Sequence, residues 1–276
     1  MTTSRIGIAL GGGGAKGLCH VSMLGVLDEL GVRPHMIAGT SIGAIIGAIY
    51  ASGQTGDEIR SRLDALTAVP RSFREVVSAA RQLPSWLDFI GVEIGRVSLL
   101  KVDTFLSGLQ TVLGVSTFEE LAIPLKVVAA DFWAREEVVI DTGAVIPALA
   151  ASFAMPGIFK PVVLDGRVLV DGGCVNPLPY DLLLDHCDIV IAVDVTGRRR
   201  VRPALLPSYT ETLFNTFQIA AKTIVREKMK ARPPTIHVEP EIHDVRVLEF
   251  HKAERIYAQA APAREDLKRR LGALLG

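Results

Sequence analysis

A short apolar run, Arg5–Leu10, ends in four consecutive glycines, Gly11–Gly14. A run of that length closed by glycine predicts a strand entering a tight loop. Helical spacing follows over Ala15–Leu30, with Leu18, Val21, Leu24, Leu27 and Leu30 on one face and Gly31 at the C-terminal cap position. The pattern then repeats. Met36–Ala38 reads as a second strand and Ile42–Ala51 as a second helix, apolar on every side and therefore central. Strand–helix–strand–helix order at this spacing predicts an α/β fold with three α/β/α layers and a largely parallel central sheet. Ligands of such sheets gather beyond the carboxyl ends of the strands, so glycine-marked strand ends are where chemistry is expected.

Further along, Asp57–Leu113 reads as mostly helical, punctuated by Pro70 and Pro84. Strands are expected at Leu125–Asp131, Glu137–Ile140, Pro161–Leu164, Val168–Val170 and Ile189–Val193, with a helix over Val145–Phe153 among them. Two helices, Tyr209–Lys230 and Lys252–Leu274, flank a short strand at Thr235–Val238. With no repeat, low-complexity tract or linker, residues 5–276 read as one domain, in which 70–113 would form a helical cap over the cleft.

Composition removes several classes of function. Thirty basic and thirty acidic residues give a formal net charge of zero, which leaves no general electrostatic case for binding nucleic acid. Cys19, Cys174 and Cys187 are too few and too scattered for a disulfide framework or a zinc site, and read as buried, reduced thiols. The N-terminus has no basic segment followed by an apolar run, so a cytoplasmic protein is expected. Met36–Gly53 approaches the length of a membrane span but is interrupted by Gly39, Thr40, Ser41, Gly43 and Gly47. A strand followed by a buried helix accounts for it better.

Three strand ends stand out. At the first, Gly12, Gly14 and Gly17 satisfy the spacing of a dinucleotide-binding loop. That reading requires an acidic residue closing the second strand, to hold a ribose, and the strand closes on Ala38-Gly39-Thr40-Ser41 instead. A phosphate-binding Walker loop fails because Lys16 is followed by glycine where Ser or Thr is needed. What remains is a series of unobstructed N–H groups at a helix N-terminus, suited to stabilising a developing oxyanion. The second end is Gly39-Thr40-Ser41-Ile42-Gly43, a G-x-S-x-G sequence between strand and helix, where small neighbours expose a nucleophilic hydroxyl. The third is Asp171-Gly172-Gly173 after the apolar Val168–Val170. Its carboxylate is either a turn aspartate or a base that accepts the serine proton directly. A base there requires partial desolvation to lift its pKa towards neutrality. The six histidines supply no obvious third member: His20 lies within the first helix, His186 ends a helical segment, and His237, His243 and His251 fall in the C-terminal quarter.

Together these residues resemble the patatin-like phospholipase family, in particular its small bacterial single-domain members. Its glycine-rich block matches Gly11–Gly17, with Lys16 where many members carry arginine; its G-x-S-x-G block matches Gly39–Gly43; and its D-G-(A/G) block matches Asp171–Gly173. A block resembling A-S-x-x-x-P is present as Ala151–Pro156. The likeness covers most of residues 5–195 and, less strongly, Phe214–Lys252. The resemblance implies a patatin-like fold and a serine lipid acyl hydrolase of the phospholipase A or carboxylesterase type. Ser41 would be the nucleophile, Asp171 its base, and the amides of Gly12, Gly13 and Gly14 the oxyanion hole, with no metal or organic cofactor. An acyltransferase or thioesterase with the same dyad, and a non-catalytic lipid-binding regulator, are the alternatives. Partners would be a lipid or other acyl ester, with peripheral contact at the inner membrane face and no nucleic acid. Two stretches bear on that contact: Phe73–Leu100, with Trp86, Leu87, Phe89 and Ile90, and the basic run Gly197–Arg202.

Overall fold

The computed structural model describes residues 4–67, 102–197, 206 and 209–276. The aromatic-rich stretch around Trp86, most of the expected cap, and the arginines at 198–202 lie outside the described residues.

Parallel pairing begins with β1 (Ile6–Leu10), which is wholly buried and lies between β2 (Met36–Thr40) and β7 (Ile189–Val193). Further parallel pairs add β3 (Leu125–Asp131) beside β2 and β8 (Ile236–Val238) beside β7. The expectation of a largely parallel sheet is met, and the near-continuous Val, Ile, Leu and Ala of β1, β3 and β7 reflect burial on both faces. Antiparallel strands β4 (Glu136–Ile140), β5 (Val162–Leu164) and β6 (Arg167–Asp171) build out one side. Against this sheet, or against the helices that cover it, lie α1 (His20–Glu29), α2 (Ile42–Ala51), α3 (Gly56–Thr67), α4 (Val102–Leu113), α5 (Val145–Phe153), α6 (Tyr209–Ala231) and α7 (Ala253–Leu275). All ten residues of α2 are buried, as its uniform apolarity predicts. Among the described residues no helix is long and apolar enough to cross a membrane.

Two expectations need correction. The helical run predicted from Ala15 begins as a 3₁₀ segment, Gly14–Cys19, and becomes α-helical only at His20. The reason is steric: Gly17 faces Ile42, and a Cβ there would stand 2.3 Å from Ile42 Cγ2, so the chain passes tightly over the start of α2. Cys19 and Cys187 are buried, but Cys174, following the Asp171 turn, is exposed.

Pairing register brings the second and third strand ends together. Along β3, Val128 pairs with Thr40 of β2 and the next residue, Ala129, pairs with Asp171 of β6. Over Val127–Asp131 the other edge of β3 is taken by β4, so β2 and β6 must share one edge. They run towards each other along it and stop one position apart. Residues 130 apart in sequence are thus brought face to face by main-chain pairing alone.

Candidate active site

Ser41 sits where β2 ends and α2 begins, with φ 56° and ψ −125°, a positive φ that side chains rarely adopt. A strained turn of this kind costs on the order of 1–3 kcal/mol and persists only where the surroundings dictate it. Here two of them do. A Cβ on Gly39 would lie 2.5 Å from Ala44 Cα, and one on Gly43 would lie 2.1 Å from the Leu10 carbonyl oxygen. Glycine at both positions therefore lets strand, turn and helix close up. The Ser41 N–H is held by Ser152 Oγ of α5, which accepts it at 2.8 Å in a fully buried setting. Removing that acceptor leaves a buried donor unsatisfied, at a cost of about 1–3 kcal/mol. Ser152→Ala is expected to lower the urea midpoint by a corresponding amount, and a midpoint equal to that of the wild type would show that the bond to Ser41 contributes nothing.

The Ser41 hydroxyl donates to Asp171 Oδ2 at 2.6 Å. Asp171 Oδ1 accepts the Gly173 N–H at 2.8 Å, and the Asp171 N–H is donated to the Ala154 carbonyl at 3.0 Å, so the carboxylate is fixed at both oxygens and at its backbone. Ser41 and Asp171 are each 1% exposed. Burial pushes the Asp171 carboxyl up to about 6, while the hydrogen bonds from Ser41 and Gly173 pull it the other way. Neither side chain is hydrogen-bonded to a histidine among the described residues. His20 serves the loop instead. It is fully buried, its pKa is lowered to about 4 by that burial, and as the neutral ring it donates to the Gly11 carbonyl at 2.8 Å. His237, on β8, lies 3.8 Å from Asp194.

The glycine-rich loop reaches the same place. Its Gly12 N–H is already donated to the Pro177 carbonyl at 2.9 Å, and Gly11 N–H to Val193 at 3.0 Å. Of the three expected oxyanion donors, Gly12 thus has its N–H engaged within the fold, whereas the N–H groups of Gly13 and Gly14 make no hydrogen bond among the described residues. A Cβ on Gly13 would stand 2.6 Å from the Val195 carbonyl oxygen, and Gly14 has φ +58° with the Val247 carbonyl oxygen 2.3 Å from where its Cβ would be. Lys16 braces the loop from within: it is buried and its Nζ donates to the Thr196 carbonyl at 3.0 Å. A single donor to a carbonyl is within lysine's means and does not need the planar fork of an arginine.

Ser41, Asp171, Gly12, Gly13 and Gly173 line one small crevice, partly open to solvent. Met155, Pro177, Phe217 and Ala221 supply an apolar wall, and Thr196 and Gln218 the polar groups near it. Phe217, Gln218 and Ala221 come from α6, which the motifs do not include; the weaker likeness over Phe214–Lys252 is the signal that covers them. Among the described residues no three His, Cys, Asp or Glu side chains converge as metal ligands would.

A largely parallel sheet with a serine on a strained strand-to-helix turn, hydrogen-bonded to a strand-end carboxylate, places the chain among α/β proteins that carry a G-x-S-x-G elbow. Within that class the chain belongs to the patatin-like phospholipase family, whose model matches residues 8–184. It is 32% identical over 197 residues to an NTE family protein of Mycobacterium tuberculosis (strain ATCC 25618 / H37Rv), a match covering 71% of this chain and 50% of that protein. It is 29% identical over 199 residues to neuropathy target esterase sws of Drosophila melanogaster, covering 71% of this chain and 13% of that protein. The chain thus spans half or less of the length of these relatives. Among solved structures, VipD from Legionella pneumophila superposes over 95% of this chain and 67% of its own, with a TM-score of 0.52 at 14% identity, a likeness of fold.

Proposed function

We propose that this chain is a serine lipid acyl hydrolase, in which Ser41 attacks the carbonyl carbon of a fatty-acyl ester and Asp171 accepts the hydroxyl proton. The observation that carries the proposal is the 2.6 Å hydrogen bond from Ser41 to a buried carboxylate, on a turn that lines the crevice. As the Ser41 Oγ–carbon bond forms, the carbonyl oxygen takes up negative charge beside the Gly13 and Gly14 amides, with the N-terminal end of α2 directed at the reacting centre. Collapse of that intermediate breaks the ester C–O bond. The departing alkoxide takes the proton back from Asp171, leaving an acyl-enzyme and a free alcohol or lysolipid. Water, losing its proton to Asp171, then attacks the acyl-enzyme. Fatty acid is released and the proton returns to Ser41.

The apolar wall of Met155, Pro177, Phe217 and Ala221 favours an acyl chain over a polar substituent beside the nucleophile. Family membership and the likeness to an esterase support the same reaction type. In this reading the protein works in the cytoplasm and meets its lipid at a membrane face. A fluorophosphonate probe tests it directly. One equivalent of adduct is expected on Ser41 and none on the Ser41→Ala protein, with peptide mapping as the readout; labelling that survives the substitution would refute the assignment.

A further inference from the structure

Beyond the nucleophile, β3 carries the chain into a hairpin whose tip is unusual in what it shows to water. Trp133 is 76% exposed and Phe132 50%, their rings edge to face with centroids 4.9 Å apart. The tip is not a loose loop. Asp131 Oδ1 accepts the N–H groups of both Trp133 and Ala134 at 3.0 Å, and Phe132 N–H is donated to Val168 of β6 at 2.8 Å. Main-chain bonds thus hold two large aromatic side chains in solvent, where nothing in the fold requires them.

Position and charge identify what they meet. Val128 of β3 is level with Thr40, so Phe132 lies four residues further in the direction in which β2 points at Ser41, about 13 Å beyond it at the rise of a strand. The aromatic tip therefore lies beyond the carboxyl end of β2, the end of a parallel sheet at which ligands gather. Around it, Arg167 is engaged with Asp131 at 3.9 Å and Glu136 at 3.4 Å, and Asp131, Glu136 and Glu137 stand against Arg135 alone within the hairpin sequence, so the tip has no excess of positive charge to seek an anionic surface. Tryptophan, with an apolar ring and one N–H donor, settles at the boundary between headgroup and acyl chain.

We infer that the Phe132–Trp133 hairpin docks the protein on a neutral or zwitterionic lipid surface by shallow insertion, with the crevice mouth turned towards the bilayer. The inference rests on the lipid acyl hydrolase reading for its choice of partner, but docking is measurable without turnover. Trp86 and Trp133 are the two tryptophans of the chain, so a Trp86→Phe protein in a Ser41→Ala background reports from position 133 alone. On phosphatidylcholine vesicles with brominated chains, its fluorescence is expected to shift to the blue and to be quenched, with little change on adding salt. In co-sedimentation that keeps Trp86, Phe132→Ala/Trp133→Ala is expected to weaken vesicle binding about tenfold or more relative to the Ser41→Ala parent. With Ser41 restored, the double variant should hydrolyse a soluble short-chain ester at the wild-type rate. Equal vesicle binding by parent and variant, emission indifferent to vesicles, or a shift that follows protein concentration without lipid (the mark of a second copy on the tip) would each overturn the docking role. Absence of soluble-ester hydrolysis in every protein would instead count against the hydrolase reading and leave the vesicle result standing.

Discussion

Ser41→Ala and Ser41→Gly are both expected to reduce hydrolysis of p-nitrophenyl esters about 10⁴-fold or more, because neither supplies an atom to form the acyl-enzyme. Their stabilities should differ. Alanine inherits the φ of 56° with no bond to Asp171 in return, whereas glycine takes up that backbone without penalty. Ser41→Gly is therefore expected to unfold at a higher urea concentration than Ser41→Ala, by an amount on the order of 1 kcal/mol. The contrast separates a strained nucleophile from an ordinary buried serine, for which glycine would be the worse replacement. Residual activity near the wild-type rate in purified Ser41→Ala protein would end the proposal.

How much of this was legible in the residues depended on whether the cause was local. Ile42–Ala51 is apolar all round, and both its limits and its burial follow from that pattern. The same holds for Ile189–Val193, a continuous apolar run, and for Leu125–Asp131, apolar but for Lys126 and the terminal Asp131. Gly39 and Gly43 could be read as relieving crowding around Ser41, and the contacts a Cβ would make there are of that kind. Non-local pairing was not legible. Nothing in Val168–Asp171 says that β6 will share an edge of β3 with β2, because a register is set by two strands jointly. Nor could spacing say that Gly12 would give its N–H to Pro177, or that Ser152 would hold the N–H of Ser41. The Ala151–Pro156 block was visible only through the family resemblance. The Phe132–Trp133 tip passed unremarked, since two aromatics after a strand look like core until their exposure is known.

Asp171→Asn is the substitution with opposite consequences for activity and stability. Loss of the carboxylate bonded to Ser41 is expected to lower turnover about 10⁴-fold. The amide can still accept from Gly173 and face Ser41, so the packing is kept while a buried charge is removed. The sign of the stability effect follows from the raised pKa. In the unfolded chain this carboxyl ionises near 3.8, and in the folded protein only near 6, so between those values the unfolded state gains charge first. Wild-type stability should therefore fall relative to Asp171→Asn as pH rises from about 4 to about 6, and the gap should hold steady above that. Two units correspond to about 3 kcal/mol at most, which solvent reaching the crevice would reduce. Urea unfolding of the two proteins at pH 4 and pH 7.5 reads the difference. The same group sets the rate: wild-type kcat/KM should decline on the acid side with a midpoint near 6, where Asp171 takes up its proton. A stability gap that shrinks with rising pH would mean a carboxylate favoured by its surroundings rather than strained by them. Such a group would be a poor acceptor for the Ser41 proton, and the base would have to be sought elsewhere.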